Sequence, residues 1–331
     1  MGALNVAIEG LDTQPVVVLN DSARGRRVRI ARHGACVLAI EATVRGRRVA
    51  LADGHRNAAE LVARPGSRFA VLAPFANRVD DARYRFEGIE HDLTPGATGA
   101  ARASRHGFVR DAGFVIGALD ADEHAASVLL ATHIPPQAGY PFALDLAVRY
   151  TLAADGLTLE ATLRNVGNRV APAFVGWHPY FRLGDNALAS WELTVPAACV
   201  IRTDAEHIPL AGEAAYQSLA QAPALDFRQP RAIGALELNH TYADLQAEAD
   251  GRVRTRLRDP ASGLGIAVWQ ERGVLLAYTG DALERGARAS LALEPMESLP
   301  DAFNRPDCAD AIRLEPGAAR TFRCGVEIDT P

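Results

Sequence analysis

The chain has 331 residues, of which 48% are hydrophobic, and a formal net charge of −5. This length and apolar content predict a large buried core, and the slight acidity provides no basic surface of the kind that binds nucleic acid. No stretch reaches the roughly 20 apolar residues of a membrane-spanning helix, and the N-terminal residues lack the basic start and apolar block of a signal peptide. We therefore expect a cytoplasmic protein that binds neither nucleic acid nor membranes.

The sequence contains no lysine, so all 35 basic residues are arginines. This excludes a Schiff-base lysine and the lysine of a phosphate-binding P-loop. The four cysteines are widely scattered and have no histidine at ligand spacing, so we expect buried thiols and neither a disulfide framework nor a metal site. They are Cys36, Cys199, Cys308 and Cys324.

Alternation of apolar and polar residues with a period of two dominates the chain and predicts β-strands. Two hairpins are clearest, one over residues 84–93 around Glu87-Gly88 and one over residues 142–163 around Asp155-Gly156. Further strands are expected at residues 16–19, 28–31, 37–43, 49–51, 128–133, 192–195, 253–258, 265–270, 274–278, 289–294 and 321–328. Helical patterns are few and short, at residues 55–63 and 212–220.

Many antiparallel strands, little helix and closely spaced turns predict an all-β protein whose sheets pack face to face. The sequence contains no repeat, low-complexity tract or linker, so we expect one domain over residues 1–331. A large antiparallel β-sandwich is the favoured fold, although the alternation alone does not distinguish it from a jelly roll or a barrel.

Glu294 closes an apolar run, and a turn rich in proline and aspartate follows it at residues 295–301. An acid at the end of a buried strand can be desolvated, which raises its pKa toward neutrality and makes it a usable base. From this segment alone, however, a strand-ending acid that faces water is the simpler interpretation.

Three other polar segments precede Glu294: Asn77-Arg78, His106-Gly107 and Trp177-His178-Pro179-Tyr180. Taken singly, each of them is equally well explained as an ordinary turn or strand end. Together with the Glu294 segment and in this order, they resemble the aldose 1-epimerase (galactose mutarotase) family, from about residue 68 to about residue 323. The resemblance implies a galactose mutarotase-like β-sandwich with few short helices.

The resemblance also implies an isomerase of carbohydrate metabolism that needs no cofactor or metal. Glu294 would be the catalytic base and His178 the acid, placed far enough apart to admit a sugar ring between them, with their proximity helping to keep Glu294 ionised and His178 protonated. The remaining residues would bind the sugar: His106 at the ring oxygen, Arg78 and Asn77 at hydroxyl groups, and Tyr180 and Trp177 through their aromatic faces.

The chain departs from the resembling family at Asn239, where the family usually carries an aspartate that binds sugar hydroxyls. Asparagine keeps a carbonyl acceptor and adds a donor, but it lacks the negative charge. We therefore expect Asn239 to bind substrate in a weakened or altered way, which leaves the preferred sugar undetermined.

Two alternatives remain at this point. One is a carbohydrate-binding protein of the same fold without catalysis, and the other is an epimerase of a sugar phosphate, for which Arg78, Arg105 and Arg110 would supply the positive charge. A glycosidase that uses Glu294 and Glu297 is disfavoured because the intervening proline and turn do not control their separation. The expected partner is a small-molecule sugar, and the expected assembly is a monomer or homodimer.

Overall fold

The structure is a computed structural model that describes residues 3–12 and 14–330, so the predicted domain bounds of 1–331 extend beyond the described residues. The strands of the first half are β1 (Leu4–Leu11), β2 (Gln14–Asp21), β3 (Arg26–Ala31), β4 (Val37–Val44), β5 (Arg47–Ala50), β6 (Val71–Leu72), β7 (Arg78–Val79), β8 (Arg83–Phe86), β9 (Ile89–Asp92), β10 (Ser104–Arg105), β11 (Val115–Ala121), β12 (Ala125–Ile134), β13 (Leu144–Ala153) and β14 (Gly156–Asn165).

The strands of the second half are β15 (Ala171–Pro172), β16 (Gly176–Trp177), β17 (Tyr180–Phe181), β18 (Glu192–Thr194), β19 (Ala197–Ile201), β20 (Tyr216–Ser218), β21 (Arg231–Ala232), β22 (Asn239–Leu245), β23 (Val253–Arg258), β24 (Gly265–Gln270), β25 (Val274–Tyr278), β26 (Leu291–Met296), β27 (Arg313–Leu314) and β28 (Ala319–Asp329). In the described part of the chain, the α-helices are α1 (Ala58–Ala63) and α2 (Ala309–Ile312).

Two large sheets form the body of the protein, and both are antiparallel. The nine-stranded sheet has the order β11-β12-β13-β14-β28-β24-β23-β18-β21, and the eight-stranded sheet has the order β20-β19-β22-β25-β26-β16-β6, with β17 also paired to β26. Strands β24 and β26 bring the two sheets into contact, and a continuous apolar cluster extends from Leu4 to Ile328. The predicted large antiparallel β-sandwich is therefore confirmed.

Both predicted hairpins are present. Strands β13 and β14 pair in register from Leu144 opposite Asn165 to Leu152 opposite Leu157, and buried residues alternate with less buried ones along both strands. Strands β8 and β9 form the shorter hairpin. Alternation predicted these elements well because each strand buries one face of its pleat and leaves the other nearer to water.

The first predicted helix is present but shorter than residues 55–63. It begins at Ala58 because the Asn57 side chain caps it, accepting a hydrogen bond of 2.9 Å from the Glu60 amide. It ends at Ala63, because the left-handed backbone of the next residue, Arg64, stops the helix. No helix in the described residues has the length and apolar character needed to cross a bilayer.

The helix predicted over residues 212–220 is wrong. A single 3₁₀ turn, Gly212–Ala215, leads into strand β20, and a second turn, Leu219–Gln221, follows it. Strand β20 pairs with β19, with Tyr216 opposite Ile201. Pairing with a distant strand overrides the weak local helical pattern, as is common for short segments.

Candidate active site

An open cleft of about 930 Å³ brings together nearly all of the predicted site residues. Those that line it are Asn77, Arg78, His106, His178, Tyr180, Asn239 and Glu294. They come from five separate chain segments, so only the fold places them around one space.

Glu294 lies on β26, every residue of which is buried. Its side chain is only 2% exposed, and burial raises the pKa of its carboxyl well above the ordinary value, while the Arg78 charge opposes this rise. Its Oε2 atom has no hydrogen-bond partner among the described residues. Glu294 is therefore a buried acid with a free acceptor, and not the water-facing acid that the segment alone suggested.

His178 lies in the turn between β16 and β17, two short strands that both pair with β26. Its backbone is fixed on both sides, because its amide donates to the Ala70 carbonyl (3.0 Å) and its carbonyl accepts from the Phe69 amide (2.8 Å). Burial lowers the pKa of its imidazole to about 3. The fold thus holds His178 rigidly beside the strand that carries Glu294.

Two expectations about this pair are wrong. His178 Nε2 lies 3.2 Å from Glu294 Oε1, so the side chains touch and no sugar ring fits between them. Burial also favours the neutral form of both groups, with the Glu294 pKa raised and the His178 pKa lowered, rather than an ion pair. Transfer of one proton from Glu294 to His178 across this contact would turn the neutral form into the ion pair without changing the total charge of the two groups.

His106 follows β10 and is tied to Asn77 at two points. The His106 amide donates to the Asn77 carbonyl (2.9 Å), and the Asn77 amide donates to Nδ1 of the His106 ring (3.3 Å). Because Nδ1 accepts, the proton of the neutral ring lies on Nε2, which can donate to a ligand. The rings of His106 and His178 are 5.1 Å apart between centroids, so His106 borders the Glu294–His178 pair directly.

Gly107 explains how His106 reaches this position. Its φ is +65°, and a Cβ at this residue would overlap the carbonyl oxygen of Ala73. Only glycine permits both the backbone conformation and the close approach to the segment that precedes Asn77.

Arg78 lies on β7, which is paired with β10. Its guanidinium Nη1 donates to Asn77 Oδ1 over 3.2 Å. Asp301 holds the same strand, because its amide donates to the Arg78 carbonyl (2.8 Å) and its Oδ1 accepts from the Asp80 amide (2.9 Å). Burial raises the pKa of Asp301 to about 6. The predictions omitted this positioning role, although Asp301 belongs to the same segment as Glu294.

Tyr180 supports His178 from one side, with the two rings stacked at 5.0 Å and 13°. The guanidinium carbon of Arg68 lies 5.1 Å from the centroid of the Tyr180 ring. Arg68 is itself fully buried and donates from Nε to Asp53 Oδ2 over 3.3 Å. Tyr180 therefore lines the cleft and also restrains the His178 imidazole.

Trp177 was expected to bind the sugar, and its position contradicts that role. It is fully buried, is not among the described residues that line the cleft, and packs edge-to-face against Phe69 at 5.7 Å. Neighbouring residues in extended chain point to opposite faces, so Trp177 points into the core where His178 points into the cleft.

Asn239 begins β22, where it is paired with Tyr278 of β25. Asn239 and Tyr278 both line the cleft, as do His207 and His240, two histidines that the sequence analysis had not assigned to the site. Burial, followed by the charge of His207, lowers the pKa of His240. No sequence motif marks His207, because its segment joins the cleft only through the fold.

The described residues contain no cluster of three or more histidine, cysteine, aspartate or glutamate side chains arranged to hold a metal ion. Glu297, the second acid of the glycosidase alternative, is occupied elsewhere: it accepts from the Val175 amide (2.9 Å) and from Arg272 (2.6 Å). The four cysteines are free and buried, as predicted.

Comparison with known proteins gives a consistent result. The family model described as "Aldose 1-epimerase" matches residues 15–327. The uncharacterized protein YihR of Escherichia coli K12 is 31% identical over 250 residues, which cover 75% of this chain and 74% of YihR. Two solved structures share the fold: a galactose mutarotase-like protein from Clostridium acetobutylicum (TM-score 0.83, 14% identity, 99% of both chains) and the galactose 1-epimerase from Lactobacillus acidophilus (TM-score 0.80, 17% identity, 99% of both chains).

Proposed function

The chain belongs to the aldose 1-epimerase family, and from this premise we propose that it is an isomerase that interconverts the α and β anomers of a free aldose by acid–base ring opening. The observation that carries the proposal is the buried contact between Glu294 and His178 in an open cleft. A carboxyl and an imidazole in direct contact match the needs of a reaction that removes one proton and delivers another.

The direct contact within the pair suits this chemistry. The anomeric hydroxyl and the ring oxygen are bonded to the same carbon, so an acid and a base that lie side by side can reach both atoms. Glu294, as the carboxylate, takes the proton of the anomeric hydroxyl while His178, as the imidazolium, protonates the ring oxygen. The bond between C1 and the ring oxygen breaks and the C1 carbonyl forms. Rotation about C1–C2 and the reverse transfers then close the other anomer.

The neighbouring residues take supporting roles in the proposal. His106 donates from Nε2 toward the ring oxygen, since its Nδ1 is already occupied by the Asn77 amide. Arg78 and Asn239, which both line the cleft, orient hydroxyl groups. Tyr180 provides an aromatic face and keeps His178 in place. The sugar accordingly binds over the Glu294–His178 pair, not between its members.

Polarimetry of freshly dissolved pure anomers tests the proposal. We expect the rate of equilibration of at least one free aldose to rise in proportion to protein concentration, with chelator present and without nucleotide. Spontaneous rates across common hexoses, pentoses and their acidic derivatives, with a protein whose circular dichroism shows folded β-structure, would contradict it. Binding of a sugar by calorimetry without any acceleration would instead favour a non-catalytic carbohydrate-binding protein.

A further inference from the structure

Three arginines on the cleft wall, Arg78, Arg105 and Arg110, form a group that the ring-opening chemistry does not explain; all three line the cleft. Arg78 and Arg105 are directly opposite each other on the antiparallel strands β7 and β10. Residues in this relation project to the same face, and like charges placed there destabilise the pair. The fold thus places two positive charges together at the cleft, and their repulsion lowers the stability of the folded protein.

No carboxylate in the described part of the chain forms an ion pair with any of the three, whereas arginines nearby are paired. Arg64 pairs with Asp111, and Arg102 donates from Nε to Asp81 Oδ1 over 2.7 Å. The Arg105 guanidinium has no hydrogen-bond acceptor among the described residues, although its carbonyl accepts from Arg110 Nη2 (2.9 Å).

Arg110 is held by two contacts, one to Ser67 and one from Nη2 to the Arg105 carbonyl. Its Nη1 donates to Ser67 Oγ over 2.7 Å, and its Nε is buried with no acceptor among the described residues. The Arg110 side chain is therefore fixed in place but keeps unused hydrogen-bond donors, as expected of a group that binds an anionic ligand.

The electrostatics of the group agree with this arrangement. Burial, followed by the charges of Arg64 and Arg105, lowers the pKa of Arg110 to about 10. Burial and then Arg105 lower the pKa of Arg78, which Glu294, Glu206 and Asp204 partly oppose without forming ion pairs. The positive charge at this wall is therefore compensated only from a distance.

We propose that Arg78, Arg105 and Arg110 bind an anionic substituent of the aldose, so that the substrate class is an acidic sugar. The proposal rests on the proposed function for the identity of the ligand as an aldose. Guanidinium groups bind carboxylate, sulfate and phosphate oxygens through paired, charge-assisted hydrogen bonds, which neutral hydroxyls match less well.

The position of the group indicates where the anionic substituent lies on the sugar. Arg105 immediately precedes His106, the residue assigned to the ring oxygen. The ring oxygen of a pyranose is bonded to C5, so the exocyclic carbon C6 extends on that side of the ring. A carboxylate at C6, or a sulfate or phosphate ester on it, would reach the arginines while C1 stays at the Glu294–His178 pair.

Calorimetry with a matched panel of sugars tests the proposal without depending on catalysis. The panel contains glucose, galactose, glucuronate, galacturonate, glucose 6-sulfate and glucose 6-phosphate, each at low and high sodium chloride. We expect at least one anionic sugar to bind about tenfold or more tightly than its neutral parent, and added salt to reduce this preference. The carboxylate, sulfate and phosphate arms identify which anion is preferred.

Variants connect the preference to the arginines. Arg105→Gln and Arg110→Gln should each reduce the ratio of anionic to neutral affinity on the order of tenfold, as expected for the loss of one charge-assisted hydrogen bond. Arg47→Gln removes the same charge from an exposed, unpaired position of β5 outside the cleft and should leave the ratio unchanged. Arg105 is exposed, so its variant remains informative if Arg110→Gln fails to fold.

The outcomes also separate this proposal from the proposed function. Equal or weaker binding of every anionic sugar, or an Arg105→Gln variant that keeps the full preference, would overturn the arginine site even if neutral anomers are equilibrated. Tight, arginine-dependent binding of an acidic sugar that is not equilibrated would support the arginine site and count against the isomerase.

Discussion

Glu294 Oε1 lies 3.2 Å from His178 Nε2, and both side chains are buried. Two chain segments separated by more than a hundred residues meet here because β16 and β17 pair with β26 on either side of the histidine. The contact leaves no room for a ligand between the two side chains, both of which line the cleft. The expected effects of the Glu294 variant on activity and stability follow from this contact.

The variant Glu294→Gln should separate chemistry from binding. It keeps the size and hydrogen-bonding capacity of the side chain but removes the base, so we expect kcat to fall on the order of 10²–10⁴-fold with little change in KM. Polarimetric initial rates over a range of sugar concentrations give both constants. Glu123→Gln, at an exposed turn outside the cleft, is the matched control and should behave as the wild type. A change in KM alone would show that Glu294 binds substrate without acting as the base.

The same variant should also change stability, in a pH-dependent way. Burial raises the pKa of Glu294 above its value in the unfolded chain. As pH rises above about 4.5, the unfolded chain releases this proton before the folded protein does, and stability falls by up to about 1.4 kcal/mol per pH unit until the folded pKa is reached. We therefore expect Glu294→Gln to have a higher Tm than the wild type at pH 7 and a smaller difference at pH 4.5.

Thermal unfolding followed by circular dichroism at pH 4.5 and pH 7 measures this difference in Tm between Glu294→Gln and the wild type. Taking the difference between variant and wild type at each pH removes the contributions of titrating groups that do not contact Glu294, whereas His178, which does, is part of the measured response. A difference in Tm that stays constant or shrinks toward pH 7 would show that the Glu294 carboxyl is not held in its neutral form.

The variant Asn239→Asp introduces a negative charge on the cleft wall without altering the Glu294–His178 pair. We expect it to act mainly through KM, or through the preference among sugars that differ at one hydroxyl group, with kcat nearly unchanged. Kinetics with paired epimers, such as glucose and galactose, measure this. If Asn239→Asp altered kcat alone, Asn239 would have to contribute to proton transfer.

The variant Trp177→Phe tests the reassignment of Trp177 from the sugar site to the core. The smaller ring leaves unfilled space beside Phe69, so urea unfolding should show a loss of about 0.5–3 kcal/mol. The KM for any sugar that is equilibrated should not change. Tyr180→Leu is the comparison from the same segment: loss of the ring stacked on His178 should lower kcat or raise KM. A raised KM for Trp177→Phe would return Trp177 to the binding site.

The secondary structure could be predicted largely from the sequence, for a local physical reason. A strand of a sandwich buries every second side chain, so the alternation along β13 and β14 is visible in the residues themselves. The segment at residues 216–218 was missed because its strand conformation depends on pairing with β19, a partner that no local pattern reveals.

The sequence by itself determined which residue types were available for the chemistry: a glutamate that closes an apolar run, histidines next to glycine and proline, and no lysine. Only the tertiary structure decided how they are arranged. Strand pairing placed His178 in direct contact with Glu294, whereas we had expected a gap wide enough for a sugar ring. The fold also brought His207 and Asn239 to the same cleft. Burial, which depends on everything packed around a side chain, then shifted the pair toward its neutral form and turned Trp177 into a core residue. Distances and desolvation are properties of the assembled sheets, so no local pattern of residues contains them.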